Sequence, residues 1–363
     1  MESIDILEFY KGKRVLVTGH TGFKGAWMVK VLMMAGANIT GYSLMPPTNP
    51  SLFEMLTEKK SNADIGSLCS VIGDIRDIKQ LKKCFDEAKP EIVIHMAAQP
   101  IVRQSYVDPV GTYETNVLGT VNVLECCRHT DSVKSVINVT TDKVYRNMER
   151  EEGYREEEEL CGYDPYSNSK SCSELVTDSY RNSFLNEKNI AVSTMRAGNV
   201  IGGGDFASDR IIPDCVRACE NNEDIIVRNP YSTRPYQHVL EPVVCYLKMA
   251  AKQYMNSDIA GAYNIGPNDD DAVTTGAITT MFCDKWNLLD TNRAVKWVNK
   301  SDNGPHEATY LKLNCNKIKS TTGWEPKWNI NEAMDRVVEW YYTYVSKDDM
   351  IEVTENQIKE YLK

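Results

Sequence analysis

The chain has 363 residues, long enough for one large α/β domain with a smaller lobe, or for two domains. With 41 Lys and Arg against 51 Asp and Glu, its formal net charge of −10 speaks against a nucleic-acid partner. No stretch is apolar enough to span a bilayer, and Met1-Glu2-Ser3-Ile4-Asp5 has neither the basic start nor the apolar run of a secretory leader, so a cytoplasmic protein without a membrane partner is expected.

The first half alternates strand-like and helix-like patterns. Arg14–Thr18 is a short apolar strand, Gly25–Met34 a helix ended by Gly36, and Ala37–Tyr42 a second strand. Asp77–Ala88 is helical and stops before Pro90, and Glu91–Met96 is a buried strand. A long helix over Pro109–Thr130, a strand over Ser135–Thr140, a second long helix over Pro165–Asn186 and a strand over Ile190–Met195 follow. This βαβα alternation predicts a Rossmann-type parallel sheet with helices on both faces and ligands beyond the carboxyl ends of its strands. After Arg196 the pattern changes. Gly198–Gly204 is glycine-rich, Asp209–Asn221 looks helical, Tyr263–Pro267 ends a short strand, and Thr274–Trp286 and Asn331–Tyr344 read as helices. The division expected is a dinucleotide-binding domain over 1–197, rejoined by 239–268, and a smaller substrate-binding lobe over 198–238 and 269–363. The acidic run Glu149–Glu159 reads either as a solvated loop or as a mobile flap over the site. The 11 cysteines include no CxxC pair and no set with His at metal spacing, so reduced thiols and no metal site are expected.

Gly19, Gly22 and Gly25 form GxxGxxG between an apolar strand and a helix. Such a turn brings backbone close to a pyrophosphate and aims the helix N-terminus at it. The second strand ends at Thr40-Gly41-Tyr42-Ser43-Leu44, with neither an acid for a ribose 2′-hydroxyl nor a base for a 2′-phosphate; the missing Arg or Lys favours NAD over NADP. Tyr166 and Lys170 lie one turn apart on a long helix, and Thr141 stands just past a strand. A tyrosine near its ordinary pKa of ~10 is a poor base at neutral pH, but a lysine ammonium and a positive nicotinamide lower it. Asp142 and Lys143 add an acid and a base that a plain dehydrogenase does not need. In the second half Asn199, Arg210, Arg228 and Arg234 offer anion binders, with Arg103 a further contact near a sugar.

These motifs, with Gly73-Asp74-Ile75 and His95-Met96-Ala97-Ala98, resemble the short-chain dehydrogenase/reductases. The segments GHTGFKG (19–25), TDKVY (141–145), DPYSNSK (164–170), RAGNVIGGGD (196–205), RNPYSTRPYQHVLE (228–241) and PHEATYLKL (305–313) narrow the resemblance to the CDP-glucose 4,6-dehydratase family, over nearly the whole chain. That resemblance implies a lyase of deoxysugar biosynthesis, including that of lipopolysaccharide O-antigen. It uses NAD to oxidise CDP-glucose at C4, eliminates water across C5–C6 and returns the hydride to C6. It implies that Thr141, Tyr166 and Lys170 serve the oxidation, that Asp142 protonates the leaving hydroxyl and that Lys143 takes the C5 proton. It implies cofactor contacts at Gly19, His20, Thr21, Gly22, Phe23, Gly25, Asp74, Ile75, Ala97, Ala98, Gln99, Asn116, Thr140, Tyr166 and Lys170. Tyr236, His238, His306 and Tyr310 are implied contacts to base or ribose. A homodimer is implied, with a homotetramer as the alternative. Another nucleotide-sugar dehydratase, a 4-epimerase, and a non-catalytic nucleotide-binding scaffold remain the rival readings.

Overall fold

The computed structural model describes residues 4–291, 294–300 and 311–363. Seven strands form one parallel sheet: β1 (Arg14–Thr18), β2 (Asn38–Ser43), β3 (Ser67–Ile72), β4 (Ile92–His95), β5 (Ser135–Val139), β6 (Ala191–Ala197) and β7 (Ala262–Ile265). Their order is β7-β6-β5-β4-β1-β2-β3, so the winding reverses between β1 and β4 and opens a crevice there. Every residue of β4, β5 and β6 is buried, as expected for strands covered on both faces. The covering apolar residues fall into two clusters.

The helices follow local signals. α1 (Phe23–Met34) begins at the glycine turn and gives way to Gly36 at φ +75°. α2 (Ile78–Ala88) is capped by the Asp77 carboxylate and ends at Lys89 in the left-handed region before Pro90. The helical run 109–128 contains a π-turn, Glu114–Leu118, which carries Asn116. α3 (Pro165–Tyr180) has Pro at its first position and the Asp164 side chain on the Ser167 N–H at 3.0 Å. α4 (Leu240–Met255) is buried over most of its length and packs on β5 and β6. α5 (Ile330–Val345) opens with a full capping box on Asn329, and α6 (Met350–Leu362) lies against it.

Three pairs of segments outside the main sheet make ladders of only two or three residues. Val200–Ile201 pairs with Gln237–His238, Thr233–Arg234 with Val273–Thr274, and Ile225–Val227 with Trp297–Asn299. Trp27 of α1 donates its indole N–H to the Gly203 carbonyl at 2.9 Å, joining the glycine turn to the glycine-rich loop. The acidic stretch 149–159 is a packed loop rather than a free flap. Tyr154 is buried and bonded to Lys312, Glu158 pairs with Arg150 at 2.6 Å, and Glu156 accepts from the Asn264 N–H. Among the described residues no helix is long and apolar enough to cross a membrane, and no cluster of His, Cys, Asp or Glu is placed to hold a metal. None of the 11 cysteines is in a disulfide.

Candidate active site

Two clefts meet over the carboxyl ends of the central strands. One, of about 850 Å³, runs along the glycine turn and the ends of β2 to β4; the other, of about 660 Å³, opens toward loops 198–212 and 226–236. Thr140, Tyr166, Lys24, Arg103 and Arg210 line both, so the two form one continuous site.

The first cleft is built around Gly19, whose φ of +76° and contact with Ala97 admit no side chain: a Cβ there would lie 2.8 Å from the Ala97 nitrogen. At Gly25 a Cβ would lie 2.1 Å from the Gly19 carbonyl oxygen, so α1 can approach the turn only with glycine at that position. Thr18 Oγ1 accepts from the Met96 and Ala97 N–H groups at 3.1 and 3.2 Å, which fixes the end of β4 beside the turn. Thr21 donates to the Leu44 carbonyl at 2.9 Å and ties the turn to the end of β2. Gly22, Phe23, Ile75, Ala98 and Lys170 line the same cleft. Asp74 does so at its far end, paired with Arg76 at 2.7 Å, a hydrogen bond that holds its carboxyl below the ordinary range. The close backbone approach, the helix N-terminus and the distal carboxylate fit a dinucleotide, with its pyrophosphate at the turn.

Asn116 and Gln99 act one layer back. Asn116 accepts from the Gln99 N–H at 2.8 Å and donates to the Gln99 carbonyl at 3.0 Å and to Ser169 Oγ at 2.9 Å. It therefore clamps the loop after β4 to α3 and stands behind the cleft wall. His20 also departs from expectation. Its ring lies over the bare backbone of Gly41, where a Cβ would sit 2.4 Å away, and bonds Ser70 at 2.7 Å, so its side chain faces the sheet rather than the cleft. Burial lowers its pKa to about 4, keeping it neutral.

The second cleft gathers Thr141, Asp142, Lys143, Asn199, Arg228, Arg234 and Tyr236. Asp142 is buried, and its Oδ1 accepts from the Thr141 hydroxyl at 2.9 Å. Its Oδ2 has no partner among the described residues. Burial raises its pKa, against the lowering pull of Lys143, the Thr141 hydrogen bond and Arg234. A carboxyl group in that state is a proton donor in waiting. Tyr166 is pushed up to about 12 by burial, with Thr141 and Arg210 pulling the other way. Lys170 Nζ donates to the Val139 carbonyl at 3.1 Å, and burial followed by Lys24 lowers its pKa to about 7. Arg210 pairs with Asp205 at 3.3 Å, and Arg228 with Asp209 at 2.8 Å.

His238 lies in the core and lines neither cleft. It lies edge-on between Trp27 and Trp328, with ring centroids 5.8 and 4.8 Å away, fully buried and lowered to about 3 by burial. Its Nδ1 accepts from the Leu240 N–H at 3.3 Å, and its Nε2 has no partner among the described residues. His306 and Tyr310 lie outside the described residues. The reading of residue types missed two charged groups. Lys24 lines both clefts, although it stands inside the glycine motif itself. Glu174, one turn beyond Lys170 on α3, takes hydrogen bonds from Thr140, Thr194 (2.6 Å) and Arg196 (2.8 Å) beneath the site.

A glycine-turn dinucleotide cradle continuous with a Tyr, Lys and Thr set, on a doubly wound parallel sheet, defines the class: an extended short-chain dehydrogenase/reductase. The chain belongs to the GDP-mannose 4,6 dehydratase family, whose sequence profile matches residues 16–337. It is 46% identical over 361 residues to a CDP-glucose 4,6-dehydratase of Salmonella typhimurium, covering 98% of this chain and 97% of that protein. It is 27% identical to a dTDP-D-glucose 4,6-dehydratase of Bos taurus, covering 91% of this chain and 88% of that one. A crystal structure of dTDP-glucose 4,6-dehydratase from Bacillus anthracis, in complex with NAD, superposes with a TM-score of 0.75 at 20% identity, covering 94% and 100% of the two chains.

Proposed function

We propose that this protein is a CDP-glucose 4,6-dehydratase that uses NAD and yields CDP-4-dehydro-6-deoxy-glucose and water. The observation that carries the reading is the acid–base pair Asp142-Lys143 standing beside Thr141 and Tyr166 in a cleft continuous with the dinucleotide cradle. The 46% identity to a CDP-glucose enzyme supports the choice of nucleotide. When bound, NAD supplies a hydride acceptor for C4 and returns the hydride at C6, so the reaction has no net redox change. Gly19, Gly22 and the first turn of α1 would hold its pyrophosphate, Asp74 its adenosine end, and Lys170 its nicotinamide ribose.

The chain's own groups manage the protons. Tyr166 accepts the proton of the C4 hydroxyl while Thr141 holds the same oxygen. A buried phenolate is costly by itself, but the neighbouring cations Lys170 and Arg210 offset that cost. The resulting ketone acidifies C5. Lys143 removes the C5 proton, and Asp142 gives its proton to the departing C6 hydroxyl. Arg228 and Arg234, on the loops facing this cleft, take the substrate diphosphate.

Proton NMR in D₂O with CDP-glucose and NAD⁺ tests the whole reading. The expected result is a new C6 methyl signal, deuterium at C5 and no accumulated NADH. Lys143→Ala is expected to lose C5 exchange and methyl formation together. Asp142→Asn is expected to keep C5 exchange while water loss slows by about 10²–10⁴-fold. A methyl signal only with another nucleotide hexose would keep the mechanism and change the nucleotide. C4 inversion without a methyl signal would make the protein an epimerase.

A homodimer is the assembly we propose. Leu118 of the helical run 109–128 and Leu175 of α3 are 55% and 58% exposed on helices that pack side by side, leaving an apolar stripe that a second copy would cover. Sedimentation as a monomer at micromolar concentration would remove that assembly. The reducing cytoplasm is the proposed location, supported by 11 cysteines of which none is in a disulfide.

A further inference from the structure

Lys24 is the second residue of α1, directly after the glycine turn. A cation in the first turn of a helix opposes the helix dipole, so helix stability does not explain it. Among the described residues its ammonium makes no hydrogen bond or ion pair. It lines both clefts, at the junction shared with Tyr166 and Thr140. The charged groups acting on it are Arg210, which repels it, and Asp142 and Asp205, which attract it; burial is the largest influence, and its pKa is lowered to about 8. Lys24 in turn presses on Lys170. The fold therefore crowds three cations, Lys24, Lys170 and Arg210, around the place where the sugar would react. Mutual repulsion of this kind is tolerated where an anion forms.

We propose that Lys24 is a further catalytic residue of this site: its ammonium reaches the bound sugar and opposes the negative charge that builds on O4. This rests on the dehydratase reading above. In the elimination, Lys143 takes the C5 proton. The C5–H electrons form the C4–C5 double bond, and the carbonyl π electrons move onto O4 as an enolate. The C4 carbonyl then re-forms. The electron pair passes to C5–C6, and the C6 oxygen leaves as water with the proton from Asp142. The enolate oxygen carries charge only between these two events, so a cation aimed at it lowers the barrier more than it tightens substrate binding.

The test compares wild type, Lys24→Met and Lys24→Arg, each with NAD⁺ present, in the same D₂O assay. Lys24→Met is expected to slow C5 exchange and methyl formation together by about 10²-fold, while affinity for CDP, read by calorimetry, stays within twofold. Lys24→Arg is expected to recover most of the rate by keeping the charge. A measurement on the wild type needs neither turnover nor a variant: acylation of Lys24 at pH 8, followed by peptide mass mapping. CDP-glucose is expected to shield Lys24 where CDP does not. Unchanged C5 exchange in Lys24→Met, or equal shielding by CDP, would overturn the proposal. If the wild type forms no methyl product from any nucleotide hexose, the dehydratase reading fails and the enolate role falls with it. If the wild type turns over and the variants match it, the role of Lys24 alone fails.

Discussion

Tyr166→Phe lowers conversion of CDP-glucose and deuterium uptake at C5 together by about 10³-fold, because C5 is acidified only once C4 is a ketone. The hydroxyl is the only atom removed, and the buried ring stays packed where Pro165 and the Asp164 cap start α3. Binding of CDP and the melting temperature are therefore expected to stay near wild type, separating a chemical loss from a structural one. The pH dependence should differ as well. Burial holds the Tyr166 phenol at about 12, so its working deprotonated form becomes more available as pH rises. The wild-type rate should rise from pH 6 toward about pH 7 and then level or fall as Lys170, lowered to about 7, and Lys24, lowered to about 8, lose their charge, whereas the residual Tyr166→Phe rate should lack the rising limb. A Tyr166→Phe protein with an unchanged rate would sink the assignment of the proton acceptor.

The second large effect is on stability. Glu174 and Arg196 form an ion pair at 2.8 Å with both side chains 3% exposed. Removing one partner leaves the other buried and unpaired, a loss of roughly 3–5 kcal/mol. Glu174→Leu should therefore melt far below wild type. The double change Glu174→Leu with Arg196→Leu should recover much of that loss, since a buried pair is often no more stable than the apolar groups replacing it. Activity should not recover with it. Glu174 also receives the Thr140 hydroxyl, and Thr140 stands between β5 and the reacting groups. Recovery of both stability and rate in the double variant would show that Glu174 has no positioning role.

The chain states its core architecture openly where one physical signal dominates. The glycine turn, the capped start of α3 and the apolar runs of β1, β4 and β5 are local features, and each lies within a residue or two of its expected place. β3 was not legible because it is an edge strand: only Leu68 and Val71 of its six residues are partly covered, so it lacks the apolar run of its neighbours. α4 hid for the opposite reason. It is buried around most of its circumference, so no polar face marks the helical period. The grouping of Thr141, Asp142, Lys143, Tyr166 and Lys170 around the clefts was legible because Tyr-x-x-x-Lys and Thr-Asp-Lys are one turn apart or contiguous. Lys24 and Glu174 were not, because their roles depend on which distant strands and loops they meet. The core position of His238 was hidden for a related reason: its partners Trp27 and Trp328 lie 211 and 90 residues away in sequence.

The strand ends beside Thr141 and Tyr166 belong to a seven-stranded sheet, whereas the loops carrying Arg228 and Arg234 hang from ladders of two or three residues. A change in those loops disturbs few hydrogen bonds and leaves the ends of β4 and β5 where they are. Recognition in this scaffold is thus largely separable from reactivity, with Arg234, which pulls on the Asp142 carboxyl, the link between the two. A lineage can drift from one nucleotide to another while its elimination chemistry is inherited intact, and a laboratory seeking a new donor sugar has its library confined to residues 226–236.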